Sequence, residues 1–97
     1  MTAPSGKVLA RRERNEITFL VVGHVTCHHS PAMRQFAEEA QSAGANSIEY
    51  DLRDCTYCDS TFLGTLLALK RRFDPRDEGR VRLACPSTSF RQMLAQI

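Results

Sequence analysis

The chain has 97 residues, of which 42% are hydrophobic and 25% charged, which fits one globular domain with one core and excludes two domains or a large multi-layer enzyme. A chain of this size buries roughly 60 to 70% of the surface its unfolded form exposes, so it needs neither disulfides nor metal to fold. Thirteen Lys plus Arg against eleven Asp plus Glu leave a net charge of +2, too little to organise the surface around nucleic-acid phosphates.

The first element reads as a hairpin: a strand from Lys7 to Glu13, a polar turn at Arg14-Asn15-Glu16, then Ile17-Thr-Phe-Leu-Val-Val22. The second strand lacks alternation and is expected to be covered on both faces and to end at Gly23. Residues 1–6, rich in Pro, Ser and Gly, are expected to be disordered. Ser30-Pro31 signals a helix start, with the serine hydroxyl as cap. Met33, Phe36, Ala37 and Ala40 then recur at helical spacing up to Gly44, which predicts a helix over 31–43.

Ile48, Tyr50 and Leu52 alternate with Ser47, Glu49 and Asp51, the period of a half-buried strand. A loop is expected over Asp54 to Asp59. A second helix begins near Ser60, carries Leu63, Leu66 and Leu67 and Phe62, Leu66, Leu69 and Phe73 on overlapping apolar stripes, and stops before Asp74-Pro75. Val81 to Cys85 reads as the last strand, and Pro86-Ser87 opens a third helix with Phe90, Met93, Leu94 and Ile97 on one stripe. The order ββαβαβα defines a single small α/β domain, a mixed sheet packed with helices and right-handed parallel crossovers after the hairpin. Loops at the strands' C-terminal ends, His24–Ser30, Asp54–Asp59 and Pro86–Thr88, gather on one edge, where a local function belongs.

No apolar run approaches the ~20 residues of a membrane-spanning helix, and Met1–Lys7 has no apolar stretch before a cleavage site, so a cytoplasmic protein is expected. Cys27, Cys55, Cys58 and Cys85 are accordingly expected as thiols. No Gly-rich phosphate loop precedes a helix, and the aromatic residues lie on apolar stripes rather than on a stacking platform for nucleic acid.

Ile48-Glu-Tyr-Asp-Leu52 followed by Asp59-Ser60-Thr61-Phe62-Leu63-Gly64 at the head of an apolar helix, taken with the element order, resembles the STAS family of anti-sigma factor antagonists and sulfate-transporter tails. The resemblance covers essentially 7–97. It implies a non-enzymatic regulator without a cofactor that binds a protein partner, an anti-sigma factor or related serine kinase, as a monomer. It also implies phosphorylation at Ser60, flanked by Asp59 and Thr61, with Asp59, Ser60, Thr61, Phe62, Gly64, His24 and Thr26 forming the partner surface. Phe62 stands where the family has glycine, which would put a ring beside the phosphosite.

Two alternatives use the same edge. A passive STAS scaffold is one. A metal site built from Cys55, Cys58, His28 and His29, with Cys27 close by, is the other; apolar packing of the cysteines is the simpler expectation. A Cys27 nucleophile with His28 or His29 lacks the geometry that sequence neighbours rarely provide.

Overall fold

The computed structural model describes residues 6–84. Its sheet has four strands in the order β1-β2-β3-β4: β1 (Lys7–Glu13), β2 (Glu16–Val25), β3 (Ser47–Cys58) and β4 (Val81–Ala84). The first two strands pair antiparallel as the hairpin, and β2-β3 and β3-β4 pair parallel. The hairpin turn is only Arg14-Asn15, and Arg14 rather than the asparagine takes the left-handed conformation, at φ 57°. Helix α1 (Ser30–Ser42) crosses from β2 to β3, and α2 (Ser60–Phe73) crosses from β3 to β4. The expected third helix, Cys85, and residues 1–5 of the expected disordered start lie outside the described residues.

Both described helices lie on one face of the sheet. Ile17, Phe19, Val21 and Val25 of β2 and Ile48, Tyr50 and Leu52 of β3 form one core with Met33, Ala37 and Ala40 of α1 and Phe62, Leu63, Leu66, Leu69 and Phe73 of α2. Phe19 sits between Phe36, edge-on at 5.9 Å, and Tyr50, stacked at 5.9 Å. The Tyr50 hydroxyl donates to the Leu66 carbonyl at 3.3 Å, and its burial pushes its pKa upward. The expectation that β2 is covered on both faces is corrected: Ile17, Phe19 and Val21 are fully buried, whereas Thr18, Leu20 and Val22 are only half-buried. An unbroken apolar run here marks a one-sided strand whose second face is also apolar.

Two further expectations are corrected. Gly23 does not end β2 but takes φ 76° within it, and residues 54–58 are strand rather than loop. The reason is a pair of irregularities. The β2-β3 register shifts between Leu20 and Val22 and again between Gly23 and His24, so that β3 spends 12 residues where β2 spends 10. Each shift inserts one extra β3 residue, as β-bulges do. The inward residues of β3 therefore run Leu52, Cys55, Cys58, at a spacing of three that hides the strand from any search for alternation.

Helix α2 ends where Asp74-Pro75 predicts. The Asp74 carboxylate is 3% exposed and accepts the N–H groups of Glu78 at 2.7 Å and Arg80 at 3.0 Å, closing the turn into β4. These hydrogen bonds, that from Glu78 foremost, hold its pKa below the usual carboxylate value. A carboxylate with a depressed folded pKa stabilises the fold above its unfolded pKa of ~3.9, and that contribution is lost as pH falls through the folded value. Asp74→Asn should accordingly lower the urea midpoint at pH 7, and its deficit relative to wild type should shrink once the pH drops below about 3.9. A deficit independent of pH from 7 to 2.5 would show that the ionised carboxylate is not what holds the turn.

Candidate functional site

The predicted edge is built by two short segments, Thr26–His29 after β2 and Asp59–Gly64 after β3. Cys27–His29 form a single 3-10 turn before α1. Ser30 does not cap, contrary to expectation; it occupies the first position of α1, and its buried hydroxyl has no hydrogen-bond partner. Thr26 and His29 close the turn instead. The Thr26 hydroxyl accepts from the His28 N–H at 3.4 Å, and the Thr26 N–H donates to His29 Nδ1 at 3.0 Å. Since Nδ1 is an acceptor, Nε2 carries the ring proton and donates it to the Gly6 carbonyl at 3.0 Å. A Cβ on Gly6 would come within 2.1 Å of the His24 carbonyl, so only glycine lets the chain start pass here.

Asp59 is the N-cap of α2, in extended conformation at φ −83°, ψ 173°. Its Oδ1 accepts the Phe62 N–H at 2.8 Å, the ordinary capping bond. Its Oδ2 accepts the Cys27 N–H at 2.9 Å, from 32 residues earlier in the chain. One carboxylate thus caps the helix and fastens the neighbouring turn to it. With capping done by Asp59, the exposed Ser60 hydroxyl makes no hydrogen bond among the described residues. Thr61 is exposed beside it, and Gly64 lies exposed one turn further on. A Cβ built on Gly64 meets nothing within 4 Å.

Of the predicted partner residues, Asp59, Ser60, Thr61 and Gly64 therefore share the first turns of α2, and Thr26 lies in the turn that Asp59 holds. Two are placed elsewhere. Phe62 is fully buried in the core, so it is not a surface residue and its ring does not stand over Ser60. His24 is exposed within β2, not in a loop, and its ring lies tilted against that of Tyr57 of β3, with centroids 4.4 Å apart. Its neighbour Val25 is buried under the helices, so His24 projects from the opposite face of the sheet. The Cys27 backbone contact is the part of the site that sequence reasoning missed, and no local pattern announces a bond across 32 residues.

The donors of the alternative metal site do not converge. Cys55 and Cys58 are 6% exposed and belong to the core, with the Cys55 thiol donating to the Tyr57 carbonyl at 3.5 Å. His28 is exposed, and both ring nitrogens of His29 are engaged. Among the described residues no three His, Cys, Asp or Glu side chains come together.

Residues 8–97 match the family model described as "Mlab, STAS domain", so the chain belongs to the STAS domain family. No curated protein matches it in sequence. Among solved structures it is similar to the unphosphorylated anti-sigma factor antagonist SpoIIAA, with 19% identity and a TM-score of 0.77 over 89% of this chain and 79% of that one. The phosphorylated form of the Bacillus cell fate determinant SpoIIAA gives 19% identity and the same TM-score of 0.77 over 92% and 81% of the two chains. An anti-sigma factor antagonist from Mycobacterium paratuberculosis is 18% identical, with a TM-score of 0.66 over 99% and 83%. At these identities the likeness is one of fold, and it agrees with the mixed sheet and element order read from the sequence. No described helix is long and apolar enough to cross a membrane.

Asp59→Ala should cost about 1 to 2 kcal/mol in a urea melt, the usual loss for a helix cap. Hydrogen exchange should accelerate at the amides of both Phe62 and Cys27. Acceleration at Phe62 alone would mean that the turn is held without Asp59.

Proposed function

We propose that this domain is a non-enzymatic, cytoplasmic protein-binding regulator of the anti-sigma factor antagonist type, whose partner is a serine-kinase anti-sigma factor and whose switch is phosphorylation of Ser60. The observation that carries the reading is the division of labour at the head of α2: Asp59 caps, and Ser60, at the first helical position, is left exposed with an uncommitted hydroxyl. The first helical N–H groups have no intrahelical acceptor, and Asp59 takes only that of Phe62. A hydroxyl there lies in the positive field of the helix end, which accommodates an added phosphate. The phosphate brings about −1.5 to −2 charges at pH 7 beside the Asp59 carboxylate. A partner surface that fits the unmodified helix end is then met by concentrated negative charge.

Gly64 supports the same surface. Glycine inside a helix costs about 1 kcal/mol relative to alanine, and here nothing among the described residues requires it, because an added Cβ meets none of their atoms within 4 Å. Bare backbone on an exposed helix face lets another molecule approach closely. Gly64→Ala should therefore raise stability by about 0.5 to 1 kcal/mol while weakening partner binding. Stabilisation with unchanged affinity would remove Gly64 from the interface.

The switch itself is tested by incubating the protein with a serine-kinase anti-sigma factor from the same genome and ATP, then sequencing the peptide 54–70 by mass spectrometry. Phosphate is expected on Ser60 and absent from Ser60→Ala, which should still bind. Ser60→Asp should keep the fold and lose about tenfold in affinity, equivalent to ~1.4 kcal/mol. Absence of phosphate from Ser60 and Thr61, with affinity indifferent to Ser60→Asp, would leave a passive scaffold.

A further inference from the structure

The face of the sheet turned away from α1 and α2 is ordered in rows by the strand register. Arg11, Thr18, Glu49 and Arg82 lie side by side in one row, and Leu9, Leu20, Asp51 and Ala84 in the next. Lys7, Val22 and Asp54 form the third row, and His24 with Tyr57 the fourth. Leu9 and Tyr57, at 50% and 48%, are the exposed large hydrophobic residues among those described, and both stand on this face.

Its charges fall in bands. Two of the ionic groups are satisfied within the chain: Asp51 is held by Arg53 through a two-pronged ion pair, and Arg82 by Glu16. Lys7 and Arg11 on β1 and Glu49 and Asp54 on β3 make no ion pair among the described residues, although Arg53 lies within the field of both acidic groups. Over the rows from Arg11 to Lys7, the charges left without an ion pair among the described residues are therefore basic on β1 and acidic on β3, with Leu20 and Val22 of β2 between them; Glu13 and Glu16 lie in the row beyond, next to the hairpin turn.

We propose that this face is the interface of a symmetric homodimer, in which two copies stack sheet on sheet about a two-fold axis running along β2. Rotation about that axis keeps each row in place and reverses the order of the strands. Arg11 then meets Glu49 of the second copy, Lys7 meets Asp54, and each contact occurs twice, as a two-fold interface requires. Leu20 and Val22 meet their own counterparts on the axis and form its apolar centre, while Leu9 meets the Asp51–Arg53 ion pair of the second copy. Stacked sheets pack ~10 Å apart with strands within about 30° of alignment, which the twist of each sheet permits.

A second copy is the occupant that this pattern favours, because the Arg11–Glu49 and Lys7–Asp54 rows are self-complementary about β2, whereas a charged band on β2 would face its own like charge across the axis. With strands ~4.8 Å apart and rows about 6.7 Å apart, the patch measures roughly 20 by 20 Å, the footprint of a weak dimer. The Ser60 end of α2 lies on the other side of the sheet and stays open, so the inference does not depend on the phosphorylation reading.

Sedimentation velocity of the purified protein from 5 to 500 µM tests it. A reversible dimer is expected with a dissociation constant on the order of 10 to 100 µM, weakened about tenfold between 50 and 500 mM salt. Lys7→Glu/Arg11→Glu and Glu49→Lys/Asp54→Lys should each sediment as monomers, because each makes both bands alike in sign. Mixed, they should form a one-to-one heterodimer. Circular dichroism verifies that both variants fold, and Asp54→Lys alone, at an exposed position, replaces the second if Glu49→Lys disturbs the sheet. A wild-type monomer at 500 µM, or two folded variants that do not associate on mixing, would overturn the proposal.

Discussion

The Asp59 carboxylate ties together segments that the chain brings from 32 residues apart, accepting the Phe62 N–H with one oxygen and the Cys27 N–H with the other. A helix end needs an acceptor for its first free N–H groups, and a tight turn needs its own backbone satisfied. Here one side chain meets both demands, so the turn after β2 and the head of α2 form a single rigid edge. This arrangement also releases Ser60. A serine that had to cap the helix would have its hydroxyl turned inward and engaged; with Asp59 in that role the hydroxyl is available to another molecule.

Phe62 contributes to the same outcome from below. It lies two positions after Ser60 on a helix turning about 100° per residue, which sends its side chain into the core while Ser60 and Gly64 face outward. The large ring at position 62 therefore anchors the helix end from inside the core and does not stand over Ser60. Packing is the dominant effect, since burying a phenylalanine side chain is worth roughly 1.5 to 3 kcal/mol, more than the cap itself contributes.

One-sided covering of the sheet governs the remaining surface. Right-handed crossovers that proceed in one direction, β2 to β3 to β4, place both described helices on the same face. Among the described residues no helix covers the opposite face, and there Lys7 and Arg11 of β1 lie across Leu20 and Val22 of β2 from Glu49 and Asp54 of β3. The molecule thus separates its exposed chemistry: a helix end with an accessible hydroxyl on one side, and a banded sheet face on the other.

The sequence alone determined the elements whose signals are local. Alternation at Ile48, Tyr50 and Leu52, the leucine stripes of α2, the stop at Asp74-Pro75 and the Asp59-Ser60 helix head each depend on residues within a turn or two of one another, and each stands where the pattern placed it. Tertiary structure decided what depends on distant partners. Residues 54–58 became strand because β2 lies alongside to hydrogen-bond them, and bulges opposite Val21 and beyond Gly23 absorbed a spacing of three that has no strand period. Thr26 and His29 cap the 3-10 turn ahead of α1, α1 itself has no side-chain cap from Ser30, and the His29 ring also reaches Gly6. His24 went to the far side of the sheet because Gly23, at φ 76°, keeps β2 running instead of ending it. The β2–β3 pairing over 54–58 and the His29–Gly6 bond join residues far apart in the chain, and periodicity along a single segment carries no record of them.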